Sequence, residues 1–110
     1  MNNDPILRLL GLCYAGRNLV SGEFAVENAI KQGSAVLVII ATDASDNTKK
    51  KFRDSCSFYN TPMYLYGTKD SLGSALGKEE RASVAVTQSG LAKSIEEKIR
   101  LFEEANGGSK

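Results

Sequence analysis

Val36-Leu37-Val38-Ile39-Ile40-Ala41 decides the fold of this chain. The six residues are apolar without polar alternation and rich in β-branched side chains. A short run of this kind is a central strand buried on both faces, because a strand with one wet face alternates. Burial on both faces requires a layer of helices above and below, so the flanking segments must supply them.

Upstream, Asp4 is placed to cap a helix and Pro5 suits its first position. Ile6, Leu7, Leu9, Leu10, Cys13 and Tyr14 follow at helical spacing, and Gly16 ends the run. Leu19-Val20 reads as a brief strand. Ser21-Gly22 opens a second helix that stops at Gln32-Gly33. Downstream, Ser45 is an N-cap and Asp46 to Phe58 a helix bearing Lys49, Lys50, Lys51 and Arg53. Asn60-Thr61-Pro62 is a turn, Met63 to Tyr66 a second core strand, and Asp70 to Leu76 a short helix closed by Gly77. Lys78-Glu79-Glu80-Arg81 is an exposed loop before a last strand, Ser83 to Thr87. Ser89-Gly90 then leads into a helix whose Leu91, Ile95, Ile99 and Phe102 share one face. Helices and strands alternate throughout, which predicts a three-layer α/β/α sandwich around a mixed, four-stranded sheet. One domain over residues 1–105 and a frayed tail over 106–110 account for the chain.

Composition narrows the chemistry. The chain has 110 residues, 42% hydrophobic, enough for one self-sufficient core. Fourteen basic against thirteen acidic residues leave a net charge of +1, so nucleic acid can be held only by a local surface. There is no histidine, which removes the commonest general base and metal ligand. Cys13 and Cys56 lie 43 residues apart and make no metal-ligand spacing; they read as free buried thiols. The start of the chain carries no basic and apolar secretory signal, and the longest apolar run, Ala35–Ala41, is far short of a membrane helix. The expectation is a cytoplasmic protein with no membrane association.

No catalytic constellation emerges. Gly67-Thr68-Lys69 lacks the leading glycine of a phosphate loop and reads as a tight turn. Asp43 follows the buried strand, where α/β folds place functional groups, but capping the next helix accounts for it. Glu79-Glu80 is a solvated pair, and Ser21 and Ser89 have no base to activate them. The expectation is no enzyme, no metal and no cofactor. One segment stands out: with Val26, Ala29 and Ile30 on the core face of the second helix, Phe24, Asn28 and Lys31 project on the other side. Two readings are open. Phe24 packs against a neighbouring loop, which composition alone favours, or it meets an unstacked base beside helix amides that face a phosphate.

Ala15-Gly16-Arg17, Val20-Ser21-Gly22, Ala29-Ile30-Lys31-Gln32-Gly33 and Ala35–Ala41 followed by Asp43 resemble the L-seven-Ae / L-thirty-e ribosomal protein family. Asn60-Thr61-Pro62, Leu72-Gly73 and Ser83-Val84-Ala85-Val86 continue the likeness in order. Asp43-Ala44-Ser45, Asn47-Thr48 and Gly77-Lys78-Glu79-Glu80-Arg81 are similar to its short bacterial YlxQ-type branch. The resemblance implies an α/β/α sandwich that binds kink-turn RNA, a sharply bent duplex with tandem sheared G·A pairs, in the translation apparatus. It implies an RNA surface made by Gly22, Glu23, Phe24, Ala25 and Asn28 at the second helix and by Arg81, Ala82, Ser83 and Val84 before the last strand. Arg17 and Lys31 are expected to add phosphate contacts, with the Lys49–Lys51 run either joining them or forming a solvated face. The chain departs from the family at Phe24-Ala25, where archaeal and eukaryotic members carry Asn-Glu, and at Asn28, where lysine is usual. The expected partners are structured RNA, possible association with the ribosome, and no second copy of the chain. The alternative is a protein-interaction module that kept the fold and lost kink-turn recognition. Gly22→Asp tests the surface cleanly only if Gly22 is not at positive φ.

Overall fold

The computed structural model describes residues 4–106; the tail expected over 106–110 lies outside that range beyond Asn106. Nine elements alternate: α1 (Pro5–Ala15), β1 (Leu19–Ser21), α2 (Glu23–Gln32), β2 (Leu37–Ile40), α3 (Asp46–Phe58), β3 (Met63–Leu65), α4 (Lys69–Ala75), β4 (Ser83–Val86) and α5 (Ser89–Ala105). The strands form one sheet in the order β1-β4-β2-β3. β4 runs antiparallel to both β1 and β2, and β3 runs parallel to β2. The mixed sheet is the expected one.

All eight residues of β2 and β4 are buried. The helices divide accordingly: α1 packs with α4 and α5, α2 packs with α3, and both groups meet the sheet. Leu10, Leu72, Ile95 and Ile99 from the first group and Val26, Ile30 and Phe52 from the second are fully buried against β2 and β4. Cys13 and Cys56 are free, buried thiols, and burial pushes the Cys56 thiol up to about 11.

Helix ends follow the residues that cap them. Asp4 Oδ1 accepts from the amides of Ile6 and Leu7, 2.8 and 3.1 Å away. Ser45 caps α3 through the Thr48 amide, and Thr68 and Ser71 form a reciprocal capping box on α4. Gly33 closes α2 in the left-handed conformation at φ 81°.

Two expectations need correction, the start of α2 and the rank of β3. Ser21 belongs to β1 and pairs with Val84, so α2 starts two residues later than expected. Beta-sheet hydrogen bonding takes Ser21, because a residue with a partner strand gains a ladder bond that a frayed helix start lacks. Gly16 ends α1 as expected, at an ordinary φ of −88°, and the left-handed residue after it is Arg17 (φ 63°). Ser89 begins α5 as expected, and Gln88 caps it, its Oε1 accepting from the Leu91 amide at 2.6 Å. β3 is an edge strand with Leu65 37% exposed, not a core strand, since pairing with β2 covers one side only.

Asp4 has a second duty. Its Oδ2 accepts a short hydrogen bond from the Tyr66 hydroxyl, joining the start of α1 to the end of β3. Desolvation and this carboxylate push the Tyr66 phenol well up; burial and then Glu96, whose Oε2 accepts from the Tyr64 hydroxyl at 2.7 Å, push Tyr64 up to about 12. Both native phenols favour the neutral form, so their contribution to stability is complete below the ordinary tyrosine value near pH 10 and is lost as pH rises through about 12. Alkaline unfolding followed by circular dichroism is expected to begin above about pH 10, with Tyr66→Phe flattening that limb. Asp4→Ala, which removes the cap and the phenol's acceptor together, is expected to cost about 1–3 kcal/mol in urea denaturation.

Candidate functional site

The strand directions gather one set of loops. Because β4 opposes β1 and β2, and β3 follows β2, the start of β4 lies beside the ends of β1, β2 and β3. Four connections meet at this edge: β1–α2, β2–α3, β3–α4 and α4–β4. The N-termini of α2, α3 and α4 therefore converge there, each carrying about half a positive charge.

Hydrogen bonds stitch these loops into one surface. The Gly22 amide donates to Ser83 O at 3.0 Å, and the Ala41 amide to Ala82 O at 2.9 Å. The Thr42 amide and hydroxyl both donate to Gly67 O at 2.8 Å. Asp43 Oδ1 accepts from the Lys69 amide at 2.8 Å, and Lys69 O accepts from the Arg81 amide at 3.0 Å. Arg81 completes the circuit: its Nε donates to Ser21 Oγ at 3.1 Å and its Nη1 to the carbonyls of Glu80 (2.9 Å) and Glu79 (3.4 Å). Those bonds hold the guanidinium beside the start of α2 and leave Nη2 without a partner among the described residues.

α2 is the one described helix whose start has no side-chain cap. Its N-cap, Gly22, sits at φ 96°, ψ 153°, a conformation essentially reserved for glycine. The first amide with an acceptor one turn back is Val26, bonded to Gly22 O at 3.0 Å. The amides of Glu23, Phe24 and Ala25 precede it, and a Cβ built at Gly22 meets no atom within 4 Å. Three peptide donors at the positive end of a dipole thus have no acceptor in the helix, and the space at Gly22 before them is open. Beside them Phe24 is 79% exposed, with Ala25 and Asn28 partly covered on the same helix. The reading in which Phe24 packs against a loop is overturned: no loop covers it.

Glu23 does not cap this helix. Lys51 Nζ of α3 lies 2.6 Å from its Oε2 and 3.0 Å from Glu27 Oε1, drawing both carboxylates toward α3. Hydrogen bonds to Glu23 and then Glu27 raise the Lys51 ammonium above the usual lysine value, and the bond to Lys51 lowers Glu27. Lys50 pairs with Asp54 at 2.8 Å, so two of the three lysines in the run are neutralised by neighbours.

Not all the expected residues converge. Arg17 lies at the opposite end of β1, roughly 10–15 Å of strand from Gly22. Lys31 lies nine residues along α2, about 13 Å away at a helical rise, and faces Glu27 at 3.7 Å. These two share the other end of the molecule. Ser83 and Val84 are buried at 1% and 0% exposure, so they frame the surface through their backbone and present no side chain to it. Gly22, Glu23, Phe24, Ala25, Asn28, Arg81 and Ala82 remain together. Sequence reasoning missed Thr42 and Lys69, which join the circuit. It also assigned Asp43 to the next helix, whereas Asp43 serves α4, 26 residues on. The pairing is long-range, and its one local trace is Asp43 after a buried strand. No group of three or more metal-ligating side chains occurs among the described residues, and none of their helices is long and apolar enough to cross a membrane.

Residues 6–96 match the family model described as the ribosomal protein L7Ae/L30e/S12e/Gadd45 family. The chain is 42% identical over 87 residues to the RNA-binding protein YlxQ of Bacillus subtilis (strain 168), covering 79% of this chain and 87% of that one. It is 31% identical over 98 residues to the RNA-binding protein YlxQ of Enterococcus faecium, covering 89% and 94%. A solved protein of unknown function from Bacillus halodurans superposes with a TM-score of 0.80 at 38% identity, over 83% of this chain and 92% of the other. The 15.5kD RNA binding protein of Giardia lamblia superposes with a TM-score of 0.75 over 92% of each chain; at 20% identity that likeness shows the fold alone.

Gly22 does not permit the simple charge test. Gly22→Ala is expected to cost about 1–3 kcal/mol through backbone strain alone, read as a lower urea midpoint. Gly73→Ala is expected to cost more, because its Cβ would lie 2.0 Å from Glu79 O, in the loop that seats Arg81.

Proposed function

The chain belongs to the ribosomal protein L7Ae/L30e/S12e/Gadd45 family, in its YlxQ-type branch, and on that premise we propose that it is a non-catalytic RNA-binding protein that recognises kink-turn or similarly bent RNA. The observation that carries this reading is the uncapped start of α2 beside a guanidinium held in place by Ser21 and two carbonyls. Open peptide donors and Arg81 Nη2 are matched to phosphate oxygens. Gly22, with no side chain and empty space before it, lets an RNA backbone come close. A sharp bend crowds phosphates together, so a small positive surface reads shape where a straight duplex presents them one at a time. Ala82, at the rim, offers an apolar surface to an extruded base. The protein acts as a monomer in the cytoplasm, in association with the ribosome.

The near-neutral balance of the chain has a consequence for affinity. With a net charge of +1 and one stitched site, only about two or three phosphates are neutralised. The logarithm of the binding constant is then expected to fall with the logarithm of salt at a slope of about −2 to −3.

Titration of a labelled kink-turn RNA, and of the same RNA without its G·A pairs, at two salt concentrations tests the proposal. Binding to the kinked RNA alone is expected. Arg81→Ala should lower affinity about tenfold and reduce the salt slope by about one. Equal binding to both RNAs, or to neither, removes the kink-turn reading. Partners retained from a lysate after ribonuclease treatment would instead favour a protein-interaction module.

A further inference from the structure

We infer that Phe24 is a stacking platform for one unpaired nucleobase, and that the start of α2 consequently holds its RNA without reading the identity of that base. The inference rests on the RNA reading above and adds how the ligand is selected. Phe24 is the most exposed of the large hydrophobic side chains among the described residues, at 79%. It occupies the second position of α2, and its own amide and those of Glu23 and Ala25 have no acceptor in the helix. A phosphate seated on those amides places its own sugar and base beside this side chain.

The neighbours specify what the ring can do. Ala25 contributes a methyl group, and Phe24 a ring; neither donates nor accepts a hydrogen bond, so no base edge is read at these two positions. Glu23, the one polar side chain of the first turn, is held by Lys51 at 2.6 Å and turned toward α3. A ring face without polar competition suits any base, because every base has a π-face.

A single base also fits better than a protein partner. The other exposed large hydrophobic residues lie on α1, on α5, at the far end of α3 and on β3, the opposite edge of the sheet from the β1 strand that leads into α2. Protein anchors work inside a contiguous apolar patch of several hundred square ångströms. Phe24 instead stands alone among groups that attract anions: open amides and the unpartnered Nη2 of Arg81.

The test uses a kinked RNA whose unpaired nucleotides are replaced in turn by A, C, G, U or an abasic site, titrated at fixed salt. At one position the four bases are expected to bind the wild-type chain within about threefold, and the abasic RNA about tenfold more weakly. Phe24→Ala, an exposed site whose replacement leaves the fold intact, should lose the same factor with every base and nothing more with the abasic RNA, as coupled partners do. Phe24→Tyr should restore the wild-type affinities. A Phe24→Ala variant that binds like wild type while Arg81→Ala is weakened overturns the stacking role and leaves the RNA reading standing. A wild-type preference of tenfold or more for one base that survives in Phe24→Ala also overturns it. Absence of saturable binding to any of these RNAs overturns both.

Discussion

Complete burial of two adjacent antiparallel strands organises this molecule. β2 and β4 expose none of their eight residues, and their apolar side chains point alternately to both faces of the sheet. Water must be excluded from each face, so α1, α4 and α5 close one side and α2 and α3 the other. With both faces covered, the backbone of β2 and β4 is reached only from the two ends of the sheet, where the loops run. The loops at such an end are where a binding surface is readily built on a rigid core.

Of the two ends, the one beside the start of β4 is organised by long-range hydrogen bonds. Ser21, Gly22, Thr42, Asp43, Gly67, Lys69, Arg81, Ala82 and Ser83 are tied across four connections. α3 and α4 spend their terminal amides on Ser45, Thr68 and Asp43, while α2 keeps its own open. Arg81 is central to this arrangement because one side chain spends Nε and Nη1 on positioning and still offers Nη2. At the opposite end, Arg17 and Lys31 are separated from the α2 start by the length of an element.

Much of the architecture was legible from local patterns. Val36–Ala41 announced the buried strand, Asp4-Pro5 and Ser45 announced helix starts, and Gly33 a helix end. Each of these signals depends on residues within one or two turns of each other. The misreadings are equally physical. Met63–Leu65 has the apolar character of a core strand, but its rank at the sheet edge is set by what lies beside it, which its own residues do not encode. Composition alone favoured Phe24 beneath a loop, while the family resemblance put it on the RNA surface. Only the path of the neighbouring chain shows that nothing covers it.

By itself, the sequence determined the class of fold, the order of the elements and the family to which the chain belongs, because hydrophobic period, capping residues and turn glycines act over short distances. It also selected Gly22, Phe24 and Arg81 as residues of interest. Tertiary structure alone decided that Ser21 joins β1, that Asp43 caps a helix 26 residues away, and that Val84 is sealed in the core. It also decided that Arg17 and Lys31 stand apart from the others. Those outcomes depend on strand direction and sheet order, which arise when distant segments bury their apolar faces together, and no short-range pattern carries that information.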